Sequence, residues 1–470
     1  MRKTLFFNFL VFSVLISNSQ ELPSYFTIKQ SDSIFDTSKC INQNTDLTNI
    51  GFELSETAPD NYEFVKLLMY SSIDESFVEA FETFEDFKIF NFGHWMKKNN
   101  TFQDNTFIHF KFVVGRDEKL VQTITLCVEN LDIVKSRGNS LPEYVKMPIY
   151  FATDRNYIDT DDVYDQFGGK RSKLKYGMCE VSIPHDHKIG HIESPSIWKF
   201  EFSEDPEKHI VLHKTKLLQK DTFFKTLSEN IKKSPKKSSF LFVHGYNVSF
   251  GDAAKRTAQI SYDLLFEGEA VFYSWPSQAN TAAYTRDEAN MKWAESNIKK
   301  FLEDYITRSD AEQIYLVAHS MGNRGLTRAI ISLFKDKPEL KENIKEIILA
   351  APDIDADVFK RDIAPQMVEL VQKPITLYVS ADDIALKASK TLHGYPRAGD
   401  SGDGIVLIDG IETIDATGID TSFLSHSYFA DTTSIISDIF DLIKTGKRAK
   451  SRQQLKLIEL RNAIYWKVKQ

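Results

Sequence analysis

One stretch, Gln313–Arg324 (QIYLVAHSMGNR), restricts the fold more than any other part of the chain. Its first part, Ile314-Tyr315-Leu316-Val317, is an apolar run with the length and β-branched or aromatic character of a buried strand. Beyond it, Leu326–Phe334 carries apolar residues at helical spacing. The residues between, Ala318-His319-Ser320-Met321-Gly322, must turn the chain sharply from strand to helix with Ser320 at the tip. Such a turn is a nucleophile elbow, and the positions two before and two after its serine hold only small side chains. Gly322 meets that demand, while Ala318 departs from the usual glycine by one methyl group. A serine so placed has an exposed hydroxyl, a helix dipole and free backbone N–H groups beside it. The plainer alternative is an ordinary turn serine.

The surrounding chain repeats the strand-then-helix pattern. Phe240–Val243, Ala270–Tyr273, Gln313–Val317, Ile344–Leu349 and Ile375–Val379 read as strands, and Thr222–Ile231, Ala253–Leu265 and Ala283–Ile306 as helices. Repeated βα units predict a mostly parallel sheet with helices on both faces, and working residues in the loops at the carboxyl ends of its strands. Upstream, Met147–Ala152, Glu180–Ile183, Ile197–Phe202 and His209–His213 read as extended pieces.

A serine hydroxyl needs a base to take its proton, and the base needs a group to orient it. After Ser320 only His393 and His426 are available as the base. His426 is preferred, because it lies in a loop just before the last helix of the sheet domain, where the base of this architecture usually falls. The acid is expected after Ile375–Val379, where Asp383 is the choice and Asp382 the alternate. Asp353 and Asp355 form a third option, read more readily as turn and helix-cap residues. The order Ser, Asp, His is that of the α/β-hydrolase fold. Two backbone N–H groups would form the oxyanion hole, that of Met321 and one from His244-Gly245-Tyr246-Asn247: Tyr246, with Asn247 as alternate. His244 reads as a structural hydrogen-bonder rather than a second base.

These segments together resemble a known family. HGYNVSFGDAAKRTAQISYDLLFEG, FYSWPS, AHSMGNR, APDID, YVSADDIAL and SHSYF look like the bacterial α/β-hydrolases once filed as a domain of unknown function and now often called esterase/lipase superfamily enzymes. FATDRN, CEVSIPHDHKIG and the aromatic pair in IYWKV also match, so the resemblance runs from about Lys146 to the C-terminus. It implies that Asp383 and His426 are the triad partners of Ser320, and it says little about substrate. The expected chemistry is hydrolysis of an acyl bond, most readily a carboxylic ester on a small molecule or a polymer. Amide or peptide hydrolysis on the same triad, and an idle hydrolase fold serving as a binding module, are the alternatives. No metal and no organic cofactor is expected.

The rest of the chain is read more coarsely. At 470 residues, 42% hydrophobic and 26% charged, it is long enough for two or three globular domains. A net charge of −8 gives no reason to expect a nucleic-acid partner. Met1–Ser19 has two leading cations, an apolar run and a small-x-small site, the pattern of a cleaved signal peptide, so a periplasmic or extracellular protein without a stable membrane span is expected. An uncleaved N-terminal anchor is the alternative. Residues 20–140 read as an accessory α+β module, with a helix near Ile73–Phe84 and a hairpin of His109–Val114 with Leu120–Val128. His94 and Trp95 in it read as packing or surface residues. Arg137–Pro142 marks its end, and residues 146–446 form the hydrolase domain. Of Cys40, Cys127 and Cys179, the first two are the natural candidates to pair in an oxidising compartment. Residues 447–470 read as a basic helix, packed on its own domain through Leu455, Ile458, Leu460 and Ile464 or touching an acidic membrane surface.

Overall fold

A computed structural model describes residues 144–470 except 186, 189, 196–202, 403, 404, 419–432, 461, 462 and 470, together with the backbone of eight strand segments within residues 26–129. Met1–Ser19, Cys40, His94, Trp95, Arg137–Pro142, Ile197–Phe202 and His426 therefore lie outside the described residues. The chain falls into two compact units, Met1–Lys146 with Pro184–Lys188, and Met147–Ile183 with Ile189–Gln470.

In the first unit, Thr106–Val114 and Lys119–Glu129 pair antiparallel, as the hairpin reading expects. The helix expected near Ile73–Phe84 is instead a strand, Ser76–Phe81, paired antiparallel with Phe64–Ser71. Phe77, Val78 and Phe81 favour strand over helix, and a neighbouring strand decided a stretch that spacing alone left ambiguous.

The second unit is built on one eleven-stranded sheet. Its strands are β1 (Tyr144–Tyr157), β2 (Phe167–Pro184), β3 (Val211–Leu218), β4 (Ser238–Val243), β5 (Gly268–Ser274), β6 (Gln313–His319), β7 (Ile344–Ala350), β8 (Ile375–Val379), β9 (Ile411–Asp415), β10 (Leu455–Leu460) and β11 (Ala463–Val468). The spatial order is β3-β2-β1-β5-β4-β6-β7-β8-β9-β11-β10. From β1 to β11 in that order every neighbouring pair is parallel, and β3 and β10 add antiparallel edges. β4 and β8 are buried at every position, as strands covered on both faces must be.

The covering helices are α1 (Lys220–Ile231), α2 (Phe250–Asp263), α3 (Tyr284–Arg308), α4 (Gly322–Asp336), α5 (Ala364–Val371), α6 (Ile384–His393) and α7 (Thr433–Thr445). A reciprocal cap between Ser249 and Asp252 starts α2 right after the β4 loop. Gly325 lets α4 close on α3: a Cβ there would stand 2.4 Å from Met291 Sδ and 2.6 Å from Ile298 Cδ1. Between β7 and β8 the chain makes one short helical excursion, Ala356–Val371, so no large insertion stands there. Among the described residues no helix is long and apolar enough to cross a membrane.

The C-terminal segment corrects the sequence reading. Residues 447–470 are not a helix: β10 and β11 form an antiparallel hairpin, and β11 runs parallel to β9 through Ile414↔Trp466 and Asp415↔Lys467. Leu460 and Ile464, expected to pack inward, are exposed, while Leu455 and Val468 are buried. Ile464, Tyr465, Trp466 and Val468 have strand-forming side chains, and the open edge of β9 gave them hydrogen bonds that an isolated helix could not match. β9 itself was not foreseen.

Arg452, just ahead of the hairpin, is buried and donates to Asp438 Oδ2 of α7 at 2.9 Å and to Glu412 Oε2 of β9 at 3.3 Å. Removing one partner of a fully buried pair strands the other charge, at about 3–5 kcal/mol. Arg452→Leu is therefore expected to lower the melting temperature by on the order of 10 °C, and adding Asp438→Leu should restore much of the loss. Thermal denaturation checks both, and an unchanged single variant would show the pair to be dispensable.

Candidate active site

The turn after β6 is as tight as its sequence demands. Ser320 has φ +48°, a left-handed backbone at a non-glycine residue, and its N–H donates to Ala350 O at 2.9 Å. Asn323 Nδ2 donates to Ser320 O and to Ala350 O, both at 3.0 Å, tying the first turn of α4 back onto the elbow. A Cβ on Gly322 would lie 2.5 Å from the carbonyl oxygens of Val243 and His244, so no other residue fits. Ala318, on the strand side, is buried and its methyl group is accommodated. Ser320 is 5% exposed.

The loop after β4 meets this turn. A Cβ on Gly245 would come within 2.8 Å of His319 Nδ1 and 3.0 Å of Ser320 Cβ, so the Gly245 backbone lies directly against the serine. Asn247 (φ +58°) donates its N–H to Asp287 Oδ2 at 3.4 Å, which turns that group away from the oxyanion role. The N–H groups of Tyr246 and Met321 donate to nothing among the described residues.

Behind the loop stands a brace of which sequence reasoning foresaw only His244. His244 shares Nδ1 with Gly245 O at 2.9 Å and Nε2 with Ser274 Oγ at 3.1 Å, its ring stacks on Trp275 at 5.1 Å, and Trp275 Nε1 donates to His244 O at 2.8 Å. Its expected structural role is the observed one. Arg155, only 1% exposed, donates to Ser274 Oγ at 2.8 Å, Ser277 O at 2.7 Å and Val248 O at 2.7 Å, joining the loops after β4 and β5. Burial lowers its pKa to about 10 against the opposing charges of Asp154, Asp287 and Asp252. Asp287 takes Ser277 Oγ at 2.6 Å and the Gln278 N–H at 2.8 Å, and burial raises its pKa. The available signal was an Asp-Arg pair at the end of an apolar strand, in FATDRN.

The acidic candidates separate by what they bind. Asp383, buried ahead of α6, caps that helix by accepting from the Leu386 N–H at 2.9 Å. Burial raises its pKa, with the Asp353 charge adding to the rise and the Leu386 and Ala385 N–H groups opposing it. Asp382 is exposed and accepts from the Gly418 N–H at 2.8 Å. Asp355 is the helix cap it was read to be, accepting from Asp357 and Val358 N–H. Asp353 is no cap. Its carboxylate takes Arg397 Nε at 2.8 Å, Ser389 Oγ at 2.6 Å, Arg324 Nη2 at 3.2 Å and the Tyr284 hydroxyl. His393 has Nε2 on Glu288 Oε1 at 3.0 Å and Nδ1 on Ser389 O at 2.8 Å, so both ring nitrogens are occupied away from Asp383. Of the aromatic residues near the cleft, Trp275 is fully buried behind it, Tyr284 is half-buried on Asp353, and Trp293 lies under Arg171 at 5.5 Å. No group of three or more His, Cys, Asp or Glu side chains able to hold a metal ion occurs among the described residues. Cys179 is a buried thiol, and burial raises its pKa.

Residues 219–445 match the family model described as "Alpha/beta hydrolase of unknown function (DUF900)". This segment is an α/β-hydrolase domain of that family. None of the curated proteins matches the chain. Similar solved structures include carboxylesterase CesB from Bacillus subtilis, at 9% identity over 49% of this chain and 100% of that one, with TM-score 0.26. A cold-adapted esterase from an Arctic intertidal metagenomic library is similar at 11% identity over 66% of this chain and 97% of that one, TM-score 0.31. A lipase-esterase related protein from Clostridium acetobutylicum is similar at 12% identity over 46% and 95%, TM-score 0.27.

One titration can be checked without a substrate. Asp154 accepts from Tyr273 Oη at 2.8 Å and Asn297 Nδ2 at 3.0 Å, and burial raises its pKa to about 6. Since the raised value favours the neutral form in the folded chain, that stabilisation is complete below about pH 4 and is lost as pH rises through about 6. Asp154→Asn keeps an acceptor for both donors, so the variant's advantage in melting temperature should grow between pH 5 and pH 7. A gap that stays constant over that range would contradict the raised pKa.

Proposed function

We propose that the domain is a serine hydrolase cleaving an acyl bond, a carboxylic ester in particular, through Ser320, His426 and Asp383. The observation that supports this reading best is the left-handed Ser320 set against the Gly245 backbone, which puts a hydroxyl and unengaged N–H groups in one place. A left-handed φ at a non-glycine residue is costly, and here it falls on the serine of the strand-to-helix turn. Ser320 Oγ attacks the ester carbonyl while His426 takes its proton, and Asp383 holds the imidazole in the right tautomer. The Met321 and Tyr246 N–H groups receive the oxyanion, at roughly 3 kcal/mol per donor. His426 then protonates the departing alcohol, and water attacks the acyl-enzyme by the same route. The short excursion between β7 and β8 leaves a site suited to small or polymer-attached esters. The leader pattern in Met1–Ser19 supports export as the place of action.

A fluorophosphonate should label the purified protein at Ser320, and Ser320→Ala should abolish both labelling and hydrolysis of p-nitrophenyl acetate while keeping the circular dichroism spectrum. Asp383→Asn should lower kcat by about 10⁴-fold with the fold retained. Gly245→Ala, whose methyl group collides with His319 and Ser320, should cost about 100- to 1,000-fold by displacing an oxyanion donor. Hydrolysis that survives Ser320→Ala would end this reading.

A further inference from the structure

Resting on the serine-hydrolase reading, we infer that Asp353 is a positioning residue: it holds Ser320 in its reactive backbone conformation through a closed clamp with Arg324. Asp353 donates its N–H to Ser320 O at 3.2 Å, and its own carbonyl oxygen accepts from Arg324 Nε. Arg324 sits in the first turn of α4, four residues after the serine, so the two hydrogen bonds and the chain from 320 to 324 close a ring. Inside that ring the Ser320 carbonyl cannot swing, and the left-handed φ, which costs on the order of 1–3 kcal/mol, cannot relax.

The side chain of Asp353 fixes the clamp in turn. It is 2% exposed and gathers one donor from each of four places: Tyr284 of α3, Arg324 of α4, Ser389 of α6 and Arg397 of the loop beyond. Burial alone would raise its pKa, yet Arg324 and Arg397, with the Ser389 and Tyr284 hydroxyls, hold it below the ordinary carboxylate value. It therefore stays an anion. Arg324 is locked from its far side as well, with Nη1 on Glu288 Oε1 at 2.6 Å and Nη2 on Tyr284 Oη at 2.9 Å. Four elements thus converge on one carboxylate whose backbone grips the residue that must react. With its oxygens so occupied, Asp353 cannot also orient a histidine.

The test uses the full chain with two substitutions, Asp353→Asn and Ser389→Ala. The first removes the anion but keeps the N–H, and the second removes one neutral donor to Asp353, a buried hydroxyl that also meets Tyr284 Oη at 2.9 Å. The rate of fluorophosphonate labelling at Ser320 is followed by intact mass, with kcat, KM and melting temperature alongside. Labelling rate and kcat should fall together, up to about 100-fold for Asp353→Asn and less for Ser389→Ala, with KM unchanged. A merely structural role would lower the melting temperature without separating kcat from KM. Wild-type labelling rates in folded Ser389→Ala protein overturn the inference, and they do so even where Asp353→Asn fails to fold. A wild-type chain that never labels overturns the serine-hydrolase reading itself, which is a different result from labelled wild type with unaltered variants.

Discussion

The carboxyl ends of β4 and β6 approach each other closely enough to exclude side chains, and the site follows from that approach. A methyl group at Gly322 would strike the carbonyls of Val243 and His244, and one at Gly245 would strike Ser320 and His319. Two glycines, one on each side of the contact, let backbone meet backbone. Parallel pairing of β4 with β6 makes this contact unavoidable, since both strands end at the same edge of the sheet. The loop after β4 therefore lies against the elbow, with the Gly245 backbone next to Ser320.

Such closeness has to be held, and buried charge holds it. Arg155 spans the loops after β4 and β5 with three hydrogen bonds, and Asp353 gathers α3, α4 and α6 beneath the elbow. Neither group is a cheap source of stability, because desolvating an ion costs about as much as its partners return. Apolar residues of similar volume could fill either position with less electrostatic strain. They could not fix direction: a guanidinium fork or a carboxylate with four donors has one satisfied arrangement, whereas packed methyl groups slide. The ions are placed behind the two backbone segments that must stay in register, and their cost is consistent with that task.

Much of this was legible in the residues because it depends on short-range rules. The elbow, the parallel strands on either side of it and the turn at His244-Gly245 each carry a local pattern, and β8 was read to the residue as Ile375–Val379. The C-terminal hairpin was not legible. Leu455, Ile458 and Ile464 fit a helical stripe as well as a strand, and what decides between them is the open edge of β9, a partner formed by residues 411–415. The first unit's Ser76–Phe81 was misread for the same reason. The bonding of Arg155, and that of Asp353 beyond its reading as a turn or cap residue, was not legible because their partners are distributed over the chain, and no spacing rule links 155 to 248 or 353 to 397. His426 lies outside the described residues, so its proposed role as the base rests on its sequence position and the motif SHSYF.

The contrast between Asp353 and Asp383 bears on which carboxylate can serve an imidazole. Both are buried near the elbow, yet their surroundings are opposite. Asp353 has two guanidiniums and two hydroxyls, so its lone pairs are spent. Among the described residues the hydrogen bonds to the Asp383 carboxylate come from backbone N–H groups, of Leu386 and Ala385, and burial beside the Asp353 charge raises its pKa against the weaker opposing charge of Lys387. A carboxylate in that condition gains most from a cation arriving next to it. In the proposed acyl transfer the base becomes an imidazolium, and an under-compensated anion stabilises that transient charge far better than a saturated one. The arginines that occupy Asp353, and so leave it unsuited to the proposed triad, leave its negative charge only partly shielded from Asp383, which sharpens the demand of Asp383 for a positive partner.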